Sequence, residues 1–260
     1  MRPMGVVTML HPMPSAATPF PHLDALQAIL ERAAGLPAAA PTDQVGPALF
    51  PHPFVTAGTL MWSWEHAHRV IHEWARWTRE MPHDVTSAVR IVRLPRVPGV
   101  PAELRGRALV AIEVAIPREP WIAAGRLAAL RRLQPEIDTV AVVDPSAIHP
   151  LHTGCGVPAP ALGTHMGLES LPGAALDAFV AIAGPASGAN LLTAALQSFG
   201  PAYGVCAAGL PVDDEDAAAL QIRLGLLLGR LAPFAAGRPA VEDVMAAVER
   251  ARPLMRRGEG

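Results

Sequence analysis

A loop in the second half of the sequence brings together side chains that could perform nucleophilic chemistry. His149, His152 and Cys155 follow one another among prolines and glycines. A cysteine next to a histidine can act as a nucleophile with its base, but no third group that would orient the histidine is apparent. Three interpretations stay open: an incidental cysteine, a catalytic pair formed by Cys155 and His152, and a substrate-facing loop to which His149 contributes.

Two further histidines, His68 and His72, are four positions apart in a segment predicted to be helical. This spacing puts both imidazoles on one face of the helix, where they could ligate a metal ion. No carboxylate or cysteine in the sequence completes an obvious ligand set. We therefore interpret both as solvated surface histidines and predict no metal site.

Tyr203 is the single tyrosine of the chain and opens a predicted strand. A phenol at that position could serve as a general acid or base. In the alternative interpretation the ring packs into the core and the hydroxyl reaches its rim. The sequence favours this structural role and leaves the catalytic one open.

The composition excludes several classes of protein. The chain has 260 residues, of which 51% are hydrophobic and 17% charged, and its net charge is −2. The apolar fraction excludes a disordered chain, and the near-zero charge gives no support to nucleic-acid binding. No stretch of roughly 18 residues is free of charges and proline-rich interruptions, so no membrane span is predicted.

Two residue types limit the chemistry and the compartment. All 21 basic residues are arginines, which removes every mechanism that needs a lysine. The chain has only two cysteines, so it has no disulfide framework, and we expect it to be cytoplasmic. Neither of the glycine-rich phosphate-binding motifs, GxGxxG and GxxxxGK[ST], is present.

Hydrophobic periodicity and turn residues predict which elements position these side chains. Strands are predicted at 54–62, 85–94, 108–116, 137–143, 191–197 and 203–210, with a long loop at 144–172. Helices are predicted at 64–80, 120–133, 173–182, 213–232 and 240–252. Hairpin-like strand pairs mixed with helices predict an α+β fold, an antiparallel sheet with helices packed on one face.

Several short motifs, in a characteristic order, resemble a known family. They are GTLMW at 58–62, MPHDVTS at 81–87, LPRVP at 94–98, PAELRGR at 101–107, IHP at 148–150, LP at 171–172 and LQSFG at 196–200. Together they resemble the substrate-binding (cap) domain of FAD-linked oxidases of the berberine-bridge-enzyme-like type. The resemblance divides the chain into a Pro/Ala-rich extension with one short helix at 1–53, a substrate-domain-like region at 54–233, and a C-terminal helix and tail at 234–260.

The resemblance also implies roles for individual residues. Strands of the family's substrate domain face the flavin, which implies a catalytic acid or base at Tyr203. Substrate-binding residues are implied at Trp62, Gln197 and His149. The family holds FAD in a separate domain that precedes this region, and the GVVT at 5–8 is similar to the end of that domain. None of the family's flavin-attaching positions can therefore be carried over, and the cofactor-binding residues stay unknown. We expect that this chain alone does not bind FAD and that FAD comes from a separate chain or a missing segment.

Three functions follow as hypotheses. The first is the substrate-binding portion of an FAD-linked oxidoreductase, which oxidises an alcohol or amine carbon when an FAD domain is supplied in trans. The second is a flavin-free small-molecule binding or scaffold protein, and the third is a non-redox enzyme that uses the retained pocket. The expected partners are a small-molecule substrate, an FAD-domain chain and, through the face that would meet that domain, a second copy of this chain.

Overall fold

The computed structural model describes residues 55–94, 96, 102–143, 162–184, 187, 191–199, 202–209 and 213–236. The described residues contain eight strands and four α-helices. The strands are β1 (Val55–Ser63), β2 (Thr86–Arg93), β3 (Ala108–Ile116), β4 (Ile137–Asp138), β5 (Ala141–Val143), β6 (Leu162–Leu168), β7 (Leu191–Phe199) and β8 (Ala202–Gly209). The helices are α1 (Ala67–Arg79), α2 (Pro120–Arg131), α3 (Gly173–Ala183) and α4 (Asp214–Leu231).

The strands form a single open sheet in which every neighbouring pair is antiparallel. Their order is β4-β1-β3-β2-β7-β8-β6. The short strand β5 also pairs with β1, at positions 55–57. This arrangement confirms the predicted α+β fold. Its centre is the run β3-β2-β7, so side chains from these three strands lie in the middle of the sheet.

One face of the sheet, here called the helix face, packs against all four helices. Alternate residues of the six longer strands point to this face, and they form one apolar cluster with the buried stripes of the helices. Trp74 of α1 and Phe179 of α3 are fully buried in it, and Trp74 donates its indole N–H to Ser87 Oγ at 2.9 Å. Trp74 and Phe179 therefore anchor α1 and α3 to the sheet.

The prediction of a loop throughout 144–172 is wrong for its last part, because residues 162–168 form β6. This strand pairs with β8 alone and is the edge of the sheet. Leu162, Met166 and Leu168 contribute to the helix-face cluster. Two intervening glycines, Gly163 and Gly167, conceal the alternation, since glycine is depleted in strands and is commonly read as a turn residue.

The single strand predicted at 137–143 is two short strands, β4 and β5, with a break at Thr139 and Val140. The hydroxyl of Thr139 accepts a hydrogen bond from Thr59 N at 3.0 Å. The break passes so close to Gly58, whose φ is +149°, that a Cβ there would lie 2.6 Å from Val140 Cα. Glycine at 58 thus permits both the backbone conformation and the close approach.

Helix α4 begins at Asp214, and Asp213 caps it by accepting a hydrogen bond from Asp216 N at 2.8 Å. By length and composition α4 is the one described helix that could cross a membrane. Four of its five buried leucines, Leu220, Leu224, Leu227 and Leu231, belong to the helix-face cluster. The helices predicted within 1–53 and at 240–252 lie outside the described residues.

Candidate functional site

The opposite face of the sheet, here called the second face, differs chemically from the helix face. The buried apolar residues of the four described helices belong to the helix-face cluster apart from Leu228, so these helices leave the second face to other residues. Toward one end of the strands the second face is apolar, with Met61, Val92, Leu109 and Ala111 forming a small cluster. Its centre is polar, and that centre is the candidate functional site.

An ion pair lies at the middle of the second face. Arg90 of β2 donates to Glu113 of β3 through Nε at 3.1 Å and through Nη2 at 3.2 Å, so the contact is bidentate. The two side chains are 11% and 8% exposed. Arg90 Nη1 also donates to Thr193 Oγ1 of β7 at 3.4 Å. The pair therefore connects the three central strands on one face.

Strand register brings two more polar side chains next to the pair. Glu113 lies opposite Thr59 on β1 and opposite Ala88 on β2. Ala88 in turn lies opposite Gln197 of β7. Because neighbouring strands are about 4.8 Å apart, Thr59 lies next to Glu113, and Gln197 lies on the same face beyond Ala88. Together with the ion pair, these two side chains are here called the polar patch. Thr59 is 1% exposed, and its Oγ1 is without a hydrogen-bond partner.

The patch has a physical cost that apolar residues would avoid. Two charges removed from water lose hydration that their mutual attraction only partly repays, so a buried ion pair is weak evidence for a stabilising role. What it does provide is a carboxylate with fixed orientation, a guanidinium, a hydroxyl and an amide on one rigid surface. Such a set can orient a small molecule that carries hydroxyl or amine groups.

The structure places Gln197, but neither Trp62 nor Tyr203, in this patch. Trp62 lies on the helix face, is 1% exposed and donates its indole N–H to the carbonyl of Leu133 at 3.0 Å. Tyr203 is half-buried against the same helix-face cluster. Gln197 thus stands on the opposite side of the sheet from Trp62 and Tyr203. The proposed roles of all three stay predictions.

The remaining sequence-predicted residues, His149, His152 and Cys155, lie outside the described residues, and their roles also stay predictions. The described cysteine is Cys206 of β8, which is 2% exposed. It lies opposite Ala195 on β7, which lies opposite Arg90 on β2. A second thiol therefore belongs to the same face as the polar patch.

Sequence reasoning missed Arg90 and Glu113, although a signal was present. Each is a single charge inside an otherwise apolar strand, TSAVRIVR and ALVAIEVAI. A buried charge is rare unless it is paired. Two opposite charges interrupting two neighbouring strands of a predicted hairpin could therefore have been read as partners.

Comparison with known proteins finds the fold in solved structures. A berberine bridge enzyme variant described as a reticuline dehydrogenase is 11% identical over 72% of this chain and 42% of its own, with a TM-score of 0.50. A berberine-bridge-enzyme-like protein of Physcomitrella patens is 10% identical over 72% and 45%, with a TM-score of 0.52. The 6-hydroxy-D-nicotine oxidase of Arthrobacter nicotinovorans is 14% identical over 78% and 53%, with a TM-score of 0.50.

These likenesses confirm the resemblance at the level of the fold, which fits the substrate-binding domain of berberine-bridge-enzyme-like proteins. The matched region is about half or less of each of those proteins. No protein-family model matches the sequence, and no curated protein matches it.

Proposed function

We propose that this chain forms the substrate-binding part of an FAD-linked oxidoreductase, with the second face as the wall that contacts the substrate. The observation that carries this proposal is the buried Arg90–Glu113 pair at the centre of that face. Support comes from the fold, which this chain shares with FAD-linked oxidases. The substrate class is an alcohol or an amine, as the resemblance implied.

The described residues do not fit FAD by themselves. A dinucleotide needs a cradle of backbone N–H groups or free cations for its diphosphate. The arginine at the centre of the second face is already engaged by Glu113 and Thr193. We therefore assign FAD binding to a separate domain, which would supply the redox chemistry, and assign to this chain the contacts with the substrate.

Those contacts follow from donor and acceptor chemistry. An alcohol or amine carries an O–H or N–H that the Glu113 carboxylate can accept, while Arg90 holds that carboxylate in place through two hydrogen bonds. Thr59 Oγ1, buried without a partner, gives a ligand one more hydrogen-bonding group. The strands fix these groups rigidly, which lowers the entropic cost of orienting a substrate.

The test is reconstitution with a flavin domain. The chain would be co-expressed with each separately encoded flavin-binding domain of the same genome and purified by a tag on this chain. We expect a complex with flavin absorbance that bleaches anaerobically with a member of a panel of alcohols and amines. The double variant Arg90→Met/Glu113→Leu should still assemble, but bleach at least about 100-fold more slowly.

The matched control is Glu73→Gln, an exposed carboxylate on α1 that lies on the other side of the sheet. It should bleach like the unmodified complex. Failure of every flavin domain to co-purify would overturn the proposal and favour a flavin-free binding protein. Homodimer formation and a cytoplasmic location stay predictions; light scattering of the purified chain tests the first.

A further inference from the structure

At the outer edge of the helix layer, two histidines of α1 meet one carboxylate of α3. His68 Nε2 and His72 Nε2 lie 3.1 Å and 2.9 Å from the same oxygen, Asp177 Oδ1. The two imidazole rings stack, with centroids 4.4 Å apart and an angle of 24° between their planes. Within the described part of the chain, this is the one group of three such side chains whose ligand atoms converge.

The packing of α1 and α3 against the core fixes the positions of these three side chains. Ile71 of α1 and Phe179 of α3, close in sequence to the cluster residues, are both fully buried in the helix-face core. Gly173, one turn before Asp177, lies beside the His72 ring, since a Cβ there would make an ordinary van der Waals contact with His72 Cε1 at 3.9 Å. The site is thus built on packed helices, which position ligands more accurately than loops do.

We propose that His68, His72 and Asp177 bind a divalent transition-metal ion, with Zn²⁺ as the representative ion, and that the ion joins α1 to α3. Two imidazole nitrogens and one carboxylate oxygen are a ligand set that suits Zn²⁺ and its neighbours in the first transition row. Histidines four apart on a helix, with a third ligand from elsewhere in the fold, are a usual geometry for such ions.

Two of the three ligand–ligand distances require little movement. Tetrahedral Zn²⁺ with ligands at about 2.0–2.1 Å separates neighbouring ligand atoms by roughly 3.3 Å. The two nitrogen–oxygen separations, 3.1 Å and 2.9 Å, need to widen by only a few tenths of an ångström. All three ligand atoms lie within 4.8 Å of one another, so the two imidazole nitrogens would approach each other by up to about 1.5 Å when the ion binds.

Exposure of the cluster determines the fourth ligand. The side chains of His68, Asp177 and His72 are 68%, 58% and 32% exposed, so one side of the ion would face water. Three protein ligands plus a water leave an exchangeable position, unlike a closed structural site.

The test is calorimetric titration of the full chain with Zn²⁺ and, separately, Co²⁺. We expect one stoichiometric event, a melting temperature that rises with metal concentration, and a Co²⁺ spectrum of four-coordinate character. Asp177→Asn keeps the size of the side chain and an acceptor oxygen. It should weaken metal binding by at least about tenfold, because about tenfold is already the smaller loss of affinity when a residue that only hydrogen-bonds to a metal ligand is replaced. His72→Gln should do the same.

The matched control is His83→Gln, because His83 is exposed in the turn after α1 and belongs to no cluster of ligand atoms in the described residues. It should titrate like the unmodified chain. Equal affinity in Asp177→Asn, His72→Gln and the unmodified chain would show that the ion binds at other histidines and would overturn the proposal. The absence of any stoichiometric event would overturn it as well. Neither outcome depends on a flavin domain.

Discussion

The two faces of the sheet are built from the same strands, residue by residue in alternation, yet they have opposite chemistry. The helix face is a continuous apolar core with three fully buried tryptophans. The second face is buried to a similar degree but holds Arg90, Glu113, Thr193 and Gln197 at its centre. Burial alone therefore does not explain the composition of both faces.

In the proposed function, the helix face provides stability and the second face contacts the substrate. Apolar side chains on the helix face gain free energy from burial, whereas charges on the second face lose hydration and regain only part of it by pairing. Despite this cost in hydration, a buried polar patch is expected where a surface must bind a ligand. This division can be tested by removing the largest residues of one face and the charges of the other.

The largest effect should come from the helix face. Trp74→Ala removes a fully buried indole and its hydrogen bond to Ser87. We expect the free energy of unfolding to fall by about 3–5 kcal/mol, measured by urea denaturation. Trp121→Ala on α2 is the control, because that side chain is 72% exposed, and its loss should stay within about 0.5 kcal/mol. Equal losses in the two variants would show that the helix face is not the main source of stability.

The second face should respond to single and double changes in different ways. Glu113→Gln leaves the buried Arg90 guanidinium without its carboxylate, and we expect a loss of about 3 kcal/mol in the free energy of unfolding. Arg90→Met/Glu113→Leu removes both charges and should recover most of that loss, because apolar residues of similar volume need no pairing.

The double variant decides whether the pair is structural. If it unfolds more readily than Glu113→Gln, the pair stabilises the fold, and the contrast between the two faces fails. Recovery of stability, together with slow bleaching in the reconstituted complex, would instead assign the pair to substrate contacts. The same urea denaturation series measures all variants.

Most of the fold could be predicted from the sequence because its signals are local. The apolar run in 108–116 and the helical stripe at 120–133 depend on neighbouring residues, and β3 has the predicted bounds. The edge strand β6 could not be predicted, since it has two glycines among its seven residues and draws its stability from pairing with β8. Such tertiary pairing has no signature within the segment itself.

The candidate sites were harder to predict because they are assembled by register and packing. Arg90 and Glu113 are 23 positions apart and meet only once β2 and β3 pair. Asp177 follows His72 by 105 positions, so no spacing rule connects them. Gln197, by contrast, was identified through a family motif, and it lies beside the polar patch because β7 pairs with β2 in the observed register.

The ion pair between Arg107 and Glu136 has the chemistry of Arg90–Glu113 at an exposed position. Its removal should therefore have the smallest effect on stability among the changes compared here. Glu136 accepts from Arg107 Nη2 at 2.7 Å and from Ser63 N at 2.9 Å, and the two side chains of the pair are 41% and 35% exposed. The Arg107 hydrogen bond is the largest of the causes that hold the pKa of Glu136 below its ordinary 4.5.

Because the folded-state pKa of Glu136 is the lower one, its stabilising contribution is complete above pH 4.5 and is lost as the pH falls below that value. Glu136→Gln should therefore lower the free energy of unfolding at neutral pH by less than about 1 kcal/mol, since solvent screens an exposed pair. The difference from the unmodified chain should shrink as the pH falls below 4.5 and vanish once the carboxyl is protonated in the folded state. Urea denaturation at a series of pH values from neutral downward measures it, with the exposed Glu65→Gln as control. If Glu136→Gln lowered the free energy of unfolding as much as Glu113→Gln does, exposure would not explain the difference between the two ion pairs. The cost of burying Arg90 and Glu113 would then have a cause other than desolvation.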